Sequence, residues 1–536
     1  MQDSSATILS SVKKFFSGTL ISRLTGFGRE VAMAAAFGVM PAVAAFWMAF
    51  RFALLLRRLL GEGGLHVAFI PHFESLRKKD PQEAAIFFYQ LSSWLTRFLC
   101  LLTIALEGIL GGFLWFGDFS PYTQEVVKLT MLLLPSLIFI CLYALNQSLL
   151  NCEGCYFLPS AAPSLFNVIW IGALFFVWQM PAPLALELLS MLIVFAFAMQ
   201  WLITLPPVYH YLKRAIQASF WQRKEKTRGQ LGHLLRPLAL SLIGVAAMQI
   251  NSGLDAIFAR LADPEGPAIL WYALRIEQLP LALLGVAMTS ALLPPISRAV
   301  EAQDEAKCLH FLSFAINRTS ALMIPVTCAL FILGFTGINL AYGRGHFTTE
   351  AIIDTTICLW GYGGGLLPMS LVLIFASFFY AKKDYKTPTL TSLFSVCANL
   401  VLNAFFVFVC KGGAVSIAVA TTLATFINAG LLLFFILKEH VLSLRPFWSS
   451  LGRITAASLI AVGGTLLVGA YFNDPTVGWF KGNALALPRS FGHQLMAFAV
   501  QCLLFGGFLV VGAFVAKSSE LLALVPFRIK EKEHEL

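Results

Sequence analysis

The sequence predicts an all-α polytopic membrane protein: fourteen transmembrane helices, with two six-helix lobes related by a pseudo-twofold along the membrane normal, plus two C-terminal helices. Three observations predict it: the composition, the spacing of the apolar runs, and the side on which Lys and Arg collect. Of 536 residues, 58% are hydrophobic and only 12% charged, about half the charge usual in soluble domains. For such a chain the unit of architecture is the spanning helix of about 20 apolar residues.

Apolar runs long enough to span fall at 14–38, 41–70, 86–115, 126–150, 161–180, 184–208, 234–259, 267–295, 310–337, 352–380, 387–410, 413–437, 449–471 and 492–516. The first run is interrupted by Arg23 and Arg29, so it reads as a retained helix and not as a cleavable signal peptide. An even number of spans puts both termini on one side. Of the 38 Lys and Arg, 24 fall in the terminal and loop segments of that side and 5 in the opposite loops. By the positive-inside rule both termini are cytoplasmic.

Two internal echoes point to a repeat. "LLGEGGLHVAFIP" and "LLGVAMTSALLPP" share Leu-Leu-Gly with a proline ten residues on, Gly61 to Pro71 and Gly285 to Pro295. "NCEGCYFLP" and "YAKKDYKTP" end at Pro159 and Pro388. Nearly equal offsets suggest parallel halves with a substrate site between them near the midplane. The expected organisation is an N-lobe at 1–212, a basic cytoplasmic linker at 213–236, a C-lobe at 237–438, a helix pair at 439–516 and a cytoplasmic tail at 517–536.

Nine Lys and Arg remain inside spans: Arg23, Arg29, Arg51, Arg57, Arg58, Arg97, Lys128, Arg275 and Arg318. Arg97, Lys128 and Arg318 lie near span ends, where a snorkel or an ion pair accounts for them. Arg23 and Arg29 lie about 14 and 22 Å along their helix from Lys14, at 1.5 Å per residue. Arg57 and Arg58 fall near the middle of the second span, with Glu62 following. A charge at that depth costs about 2.5–3.5 kcal/mol on insertion scales, which directs it to a hydrated cavity. Residues six apart differ by about 120° in heading, so Arg23 and Arg29 share a face only if the helix bends, and Gly26 and Gly28 offer a place.

A cationic cavity asks for an anion, and the planar guanidinium suits phosphate oxygens. No nucleotide-binding, zinc-peptidase or serine-hydrolase motif occurs, so no enzyme activity and no cofactor are expected. Cys152 and Cys155 have C-x-x-C spacing without the second pair or histidine that a zinc site needs, so no metal is expected either.

The segments "SRLTGFGREVAMAAAFG", "FRFALLLRRLLGEGGLHVAFIP", "LNCEGCYFLPSAAPSLFN", "WYALRIEQLPLALLGVAMTSALLPPIS", "YGRGHFT" and "FFYAKKDYKTP" resemble, in order and over nearly the whole chain, the MurJ (MviN) family of bacterial lipid II flippases. The resemblance implies two six-helix lobes and two extra helices that hold a lipid tail, as in the wider multidrug and oligosaccharidyl-lipid exporter superfamily. It implies that the chain moves the undecaprenyl-diphosphate-linked disaccharide-pentapeptide across the bacterial inner membrane by alternating access, with Arg23, Arg29, Arg57, Arg58, Arg275 and Glu62 at the diphosphate or its gate. Membrane lipids and cell-wall synthesis proteins are the expected partners, and nucleic acid is not. Two departures weaken any salt-bridge gate: Ala44 and Leu274 stand where many relatives have acids, and Glu277 is the candidate replacement. The alternatives are a flippase for another undecaprenyl-linked glycan, a multidrug exporter of the same superfamily, and a membrane scaffold that transports nothing.

Overall fold

The computed structural model describes residues 5–57, 64–215, 249, 251–439, 445–471, 475–480 and 487–523. Every regular element among them is a helix, and internal contacts divide the chain into two compact units, Met1–Ile257 and Phe258–Leu536. The first unit contains α1 (Ser5–Phe37), α2 (Pro41–Arg57), α3 (Gly64–Lys79), α4 (Pro81–Phe116), α5 (Pro121–Leu133), α6 (Ser136–Cys152), α7 (Phe157–Val177), α8 (Ala182–Leu202) and α9 (Leu205–Ala215). A helix over 251–262, α10, straddles the division. The second unit follows with α11 (Gly266–Pro280), α12 (Val286–Glu301), α13 (Glu305–Tyr342), α14 (Thr349–Gly363), α15 (Leu366–Ala381), α16 (Lys386–Ala404) and α17 (Ala414–Glu439). It ends with α18 (Arg445–Tyr471), α19 (Pro475–Phe480), α20 (Phe491–Val515) and the single turn α21 (Ser519–Leu522).

The internal repeat is visible in which helices touch. In the first unit α2 packs on α5 and α8, α3 on α4 and α6, α4 on α5 and α6, and α8 on α5, α6 and α7. Nine helices later the same pairs recur: α11 on α14 and α17, α12 on α13 and α15, α13 on α14 and α15, α17 on α14, α15 and α16. The cores correspond as well. Phe69, Phe73, Phe87 and Leu145 interlock α3, α4 and α6, and Ile296, Leu312 and Phe375 do so for α12, α13 and α15. The two echoing loops close with one hydrogen-bond pattern. Gly154 N and Cys155 N donate to Asn151 O and Leu150 O, and Lys383 N and Asp384 N donate to Tyr380 O and Phe379 O. This is the Schellman closure, and its left-handed residue is Gly154 (φ 74°) in one loop and Lys383 (φ 62°) in the other. Gly61, in the other echo, lies outside the described residues.

Polar caps set the short turns that separate the long apolar helices. Asp80 accepts from Gln82 N and Glu83 N at the start of α4, and Asp304 from Lys307 N at the start of α13. Outward faces are apolar: Leu101, Ile104, Ile109 and Phe113 on α4, and Val401, Phe405 and Phe408 at and just beyond the end of α16, are all exposed. An apolar surface that continuous belongs against lipid.

Nine helices among the described residues are long and apolar enough to cross a membrane, or ten if α5 and α6, bent by 41°, form one span. Several spans expected as single rods are broken, each for a local reason. Pro135, lacking an N–H, separates α5 from α6. Gly364 and Gly365 separate α14 from α15, and a π-helical turn, Leu281–Gly285, follows Pro280 between α11 and α12. Of the expected span at 41–70, residues 41–57 lie in α2 and 64–70 in α3, while 58–63, like most of 234–259, lie outside the described residues.

Helices α18 and α20 pack on each other and on α13, and among the described residues this pair has no counterpart in the first unit. Their crossing depends on glycine. A Cβ at Gly512 would lie 2.5 Å from Ala457 O, and one at Gly464 would lie 2.5 Å from the Phe508 ring. Gly512→Leu is therefore expected to separate the pair and to destabilise the second unit by about 1–3 kcal/mol. Unfolding of the detergent-solubilised protein measures it, and an unchanged midpoint would mean the helices do not approach this closely.

Candidate functional site

The intramembrane Lys and Arg differ in their surroundings once their neighbours are visible. Arg97, Lys128 and Arg318, near span ends, and also Arg51, each reach a partner in the fold. Lys128 on α5 pairs with Glu187 on α8 at 2.6 Å, and Arg97 Nε donates back to Ser93 O at 3.1 Å. Arg318 donates to Glu520 O at 3.4 Å, and Arg51, buried on α2, donates to Ser252 O at 3.0 Å.

Arg29 is built into the contact between α1 and α7. Gly18 allows the two helices to meet, because a Cβ there would lie 2.1 Å from Ser160 Oγ and 3.0 Å from backbone atoms of α7. Three turns on, Arg29 donates to Asn167 Oδ1 at 3.0 Å and to Glu30 Oε1 at 2.5 Å. Asn167 is itself fixed by donating to Ser22 O and Thr25 Oγ1, both at 3.1 Å. The guanidinium carbon lies 4.8 Å from the centre of the Trp170 ring and 5.6 Å from that of Phe166, close enough for cation–π attraction. Trp170 is fully buried and is wedged among Phe46, Trp47 and Phe50.

Arg29 is thus a positioned but incompletely satisfied cation. Its side chain is 14% exposed and that of Glu30 only 3%. A guanidinium has five N–H donors, and those of Arg29 that do not reach Asn167 or Glu30, Nε among them, have no partner among the described residues. Glu30 offsets much of the charge, so the group offers directed hydrogen bonds more than bare field.

Arg23 has a different environment. It is exposed, and no hydrogen bond or ion pair holds it among the described residues. α1 runs unbroken through Gly26 and Gly28, and Arg23 and Arg29 are not brought together. Arg57 is helical, in α2, but its side chain, and Arg58 and Glu62 altogether, lie outside the described residues.

In the second unit Arg275 on α11 lies over Trp271, one turn back, with its guanidinium carbon 4.1 Å from the ring centre. It also donates to Gln278 Oε1 at 3.4 Å. The π-helical turn begins six residues on, a break of the kind that often marks a functional site in a helix. Glu277, the candidate replacement acid, does not pair with Arg275. Two positions along a helix is a rotation of about 200°, and Glu277 is buried, 1% exposed, with no ion pair to Arg275. Among the described residues no group of three or more His, Cys, Asp or Glu could hold a metal ion.

Asn167 and Trp170 were not singled out by the sequence. An asparagine within an apolar span is the signal that could have found them, since buried amides need partners.

A doubled helical bundle that presents lipid-facing apolar surfaces and carries positioned intramembrane arginines defines a multi-span membrane transporter. Solved structures share the fold: "Lipid II flippase MurJ, inward closed conformation" aligns with a TM-score of 0.71 at 22% identity, over 94% of this chain and 99% of that one. An inward-facing multidrug resistance MATE family transporter of the MOP superfamily aligns with a TM-score of 0.64 at 14% identity, over 77% of this chain and 93% of that one. A family model described as "Lipid II flippase MurJ" matches residues 33–485. The probable lipid II flippase MurJ of Chlamydia trachomatis serovar D is 33% identical over 535 residues, 98% of each chain, and that of Chlamydia muridarum is 36% identical over 79% of this chain and 77% of the relative. The chain belongs to the MurJ family.

Proposed function

We propose that this protein is a lipid II flippase of the inner membrane, with both termini cytoplasmic. It carries the undecaprenyl-diphosphate-linked disaccharide-pentapeptide from the inner to the outer leaflet by alternating access. The observation that carries the reading is Arg29: a guanidinium oriented by Glu30, Asn167 and Trp170, with N–H groups left over. Such a group suits a diphosphate oxygen that arrives and must later leave.

In this reading Arg23, Arg57, Arg58 and Arg275 add to the diphosphate site and Glu62 tempers it, while the lipid tail follows the 439–516 helix pair. The domains are those read from the sequence, 1–212 and 237–438 joined by the basic segment 213–236. A membrane potential negative inside favours outward movement of an anionic headgroup by about 2.3 kcal/mol per charge per 100 mV.

The test is replacement of the resident flippase of a bacterium by this chain under a switchable promoter, with the leaflet distribution of labelled lipid II as readout. Switching off should collect lipid II in the inner leaflet within minutes. Continued appearance of lipid II outside, with no other flippase present, overturns the reading and favours a different undecaprenyl-linked cargo, a drug or a scaffold role.

A further inference from the structure

The motif "YGRGHFT" lies far from the arginines discussed above. It forms the loop between α13 and α14, at the end of α13 opposite Lys307, and it lines a cavity of about 500 Å³ with Gly343, Arg344, Gly345, His346, Thr348 and Arg489. That volume is in the range of small-molecule sites.

The cavity is held open by its surroundings. Phe347 is fully buried and packs against Tyr272 and Tyr342, with ring centres 5.4 and 5.6 Å away, which pins the loop from beneath. Gly345 turns the chain at φ 57°, a conformation that favours glycine. Arg489, just before α20, donates to Phe347 O and to Thr349 Oγ1, both at 2.9 Å. Gln494 Nε2 donates to Gly343 O at 2.9 Å, and Asn339 Nδ2 to Pro488 O at 2.9 Å. Two cations therefore flank a braced loop.

Among the described residues neither cation is neutralised. Arg344 donates to Leu340 O and lies 4.9 Å from the centre of the Phe491 ring, but its Nε is buried with no partner. No carboxylate pairs with Arg344 or Arg489 among the described residues. Glu350 belongs instead to an acidic group with Asp263, Asp354 and Glu265, whose carboxyl is pushed up by burial and then by those three neighbours. Beside the cavity, α20 begins with exposed Phe491, Leu495 and Met496. A cationic pocket next to an exposed apolar strip fits an anion carried on a hydrocarbon chain.

We propose that this pocket binds a lipid-borne phosphate at the outer face of the membrane. The proposal uses the orientation given above but not the identity of the cargo. Two lipids could supply the group: a resident anionic phospholipid, or the undecaprenyl diphosphate of the cargo after transfer.

The test is lipid retention by the purified full-length protein in detergent, measured by native mass spectrometry. The probes are phosphatidylglycerol, undecaprenyl diphosphate and inorganic phosphate. Arg489→Gln and Arg344→Gln should weaken retention about tenfold or more. Because Arg489 also braces the loop, His346→Glu serves as the second variant: it puts a carboxylate at an exposed position that bonds nothing in the fold. It should weaken retention while leaving the unfolding midpoint unchanged. Loss confined to phosphatidylglycerol identifies a resident lipid, and loss confined to undecaprenyl diphosphate identifies the cargo. Equal retention of both lipids by the wild type and His346→Glu, or retention of inorganic phosphate alone, overturns the proposal. Binding is read without transport, so such a failure leaves the flippase reading untouched.

Discussion

Arg29→Ala is expected to slow lipid II translocation about 100-fold, which is the loss of two charge-assisted hydrogen bonds to a phosphate at about 1.5 kcal/mol each. Arg29→Lys should restore little of it, because an ammonium cannot hold Asn167 and Glu30 in fixed directions and still present a planar fork. The single substitutions have a complication that the structure makes explicit. Glu30 is 3% exposed and pairs with Arg29, and breaking a buried ion pair from one side costs about 3–5 kcal/mol. Arg29→Met combined with Glu30→Gln removes both charges at nearly constant volume, so it should insert and fold like the wild type yet fail to transport. If that double variant folds and supports normal growth as the sole copy, Arg29 is structural and the site must be elsewhere.

Trp170→Ala is expected to destabilise the first unit by about 3–5 kcal/mol, the usual cost of deleting a large aromatic side chain from a packed core. Trp170 touches Phe46 and Phe50 edge-on, at ring-centre distances of 6.0 and 5.2 Å, and stacks on Trp47 at 6.3 Å. Its loss would also free the guanidinium of Arg29 from one wall. Thermal unfolding in detergent should show the loss, and Trp170→Phe should recover most of the stability while weakening the cation–π contact, which is strongest with tryptophan. A wild-type midpoint for Trp170→Ala would mean that the aromatic cluster is not packed as described.

Much of this architecture is legible in the sequence because the bilayer imposes it. Helices are the only open-ended backbone that satisfies its own hydrogen bonds in lipid, so the apolar runs announce the elements. The repeat is fainter. Two proline-terminated echoes hint at it, and the matched helix pairings and the Gly154 and Lys383 turns carry it. What the sequence hides is partnership across distance. Asn167 is 138 residues from Arg29, and nothing local marks it as the group that orients a guanidinium. The same holds for Lys128 and Glu187, whose pairing makes one charge structural. The breaks at Pro135 and Gly364 were written in the residues but look, by hydropathy, like continuous spans. Arg23 and Arg29 would share a face only if α1 bent between them; α1 runs unbroken through Gly26 and Gly28, and Arg29 alone bonds to α7.

The most direct measurement is translocation by the purified protein in liposomes. Fluorescent lipid II is placed in the inner leaflet and its arrival outside is read with an impermeant quencher. The account predicts a protein-dependent rise in quenching that Arg29→Met with Glu30→Gln abolishes while remaining folded. No rise with the folded wild-type protein under an imposed potential, or an equal rise with the double variant, would contradict it.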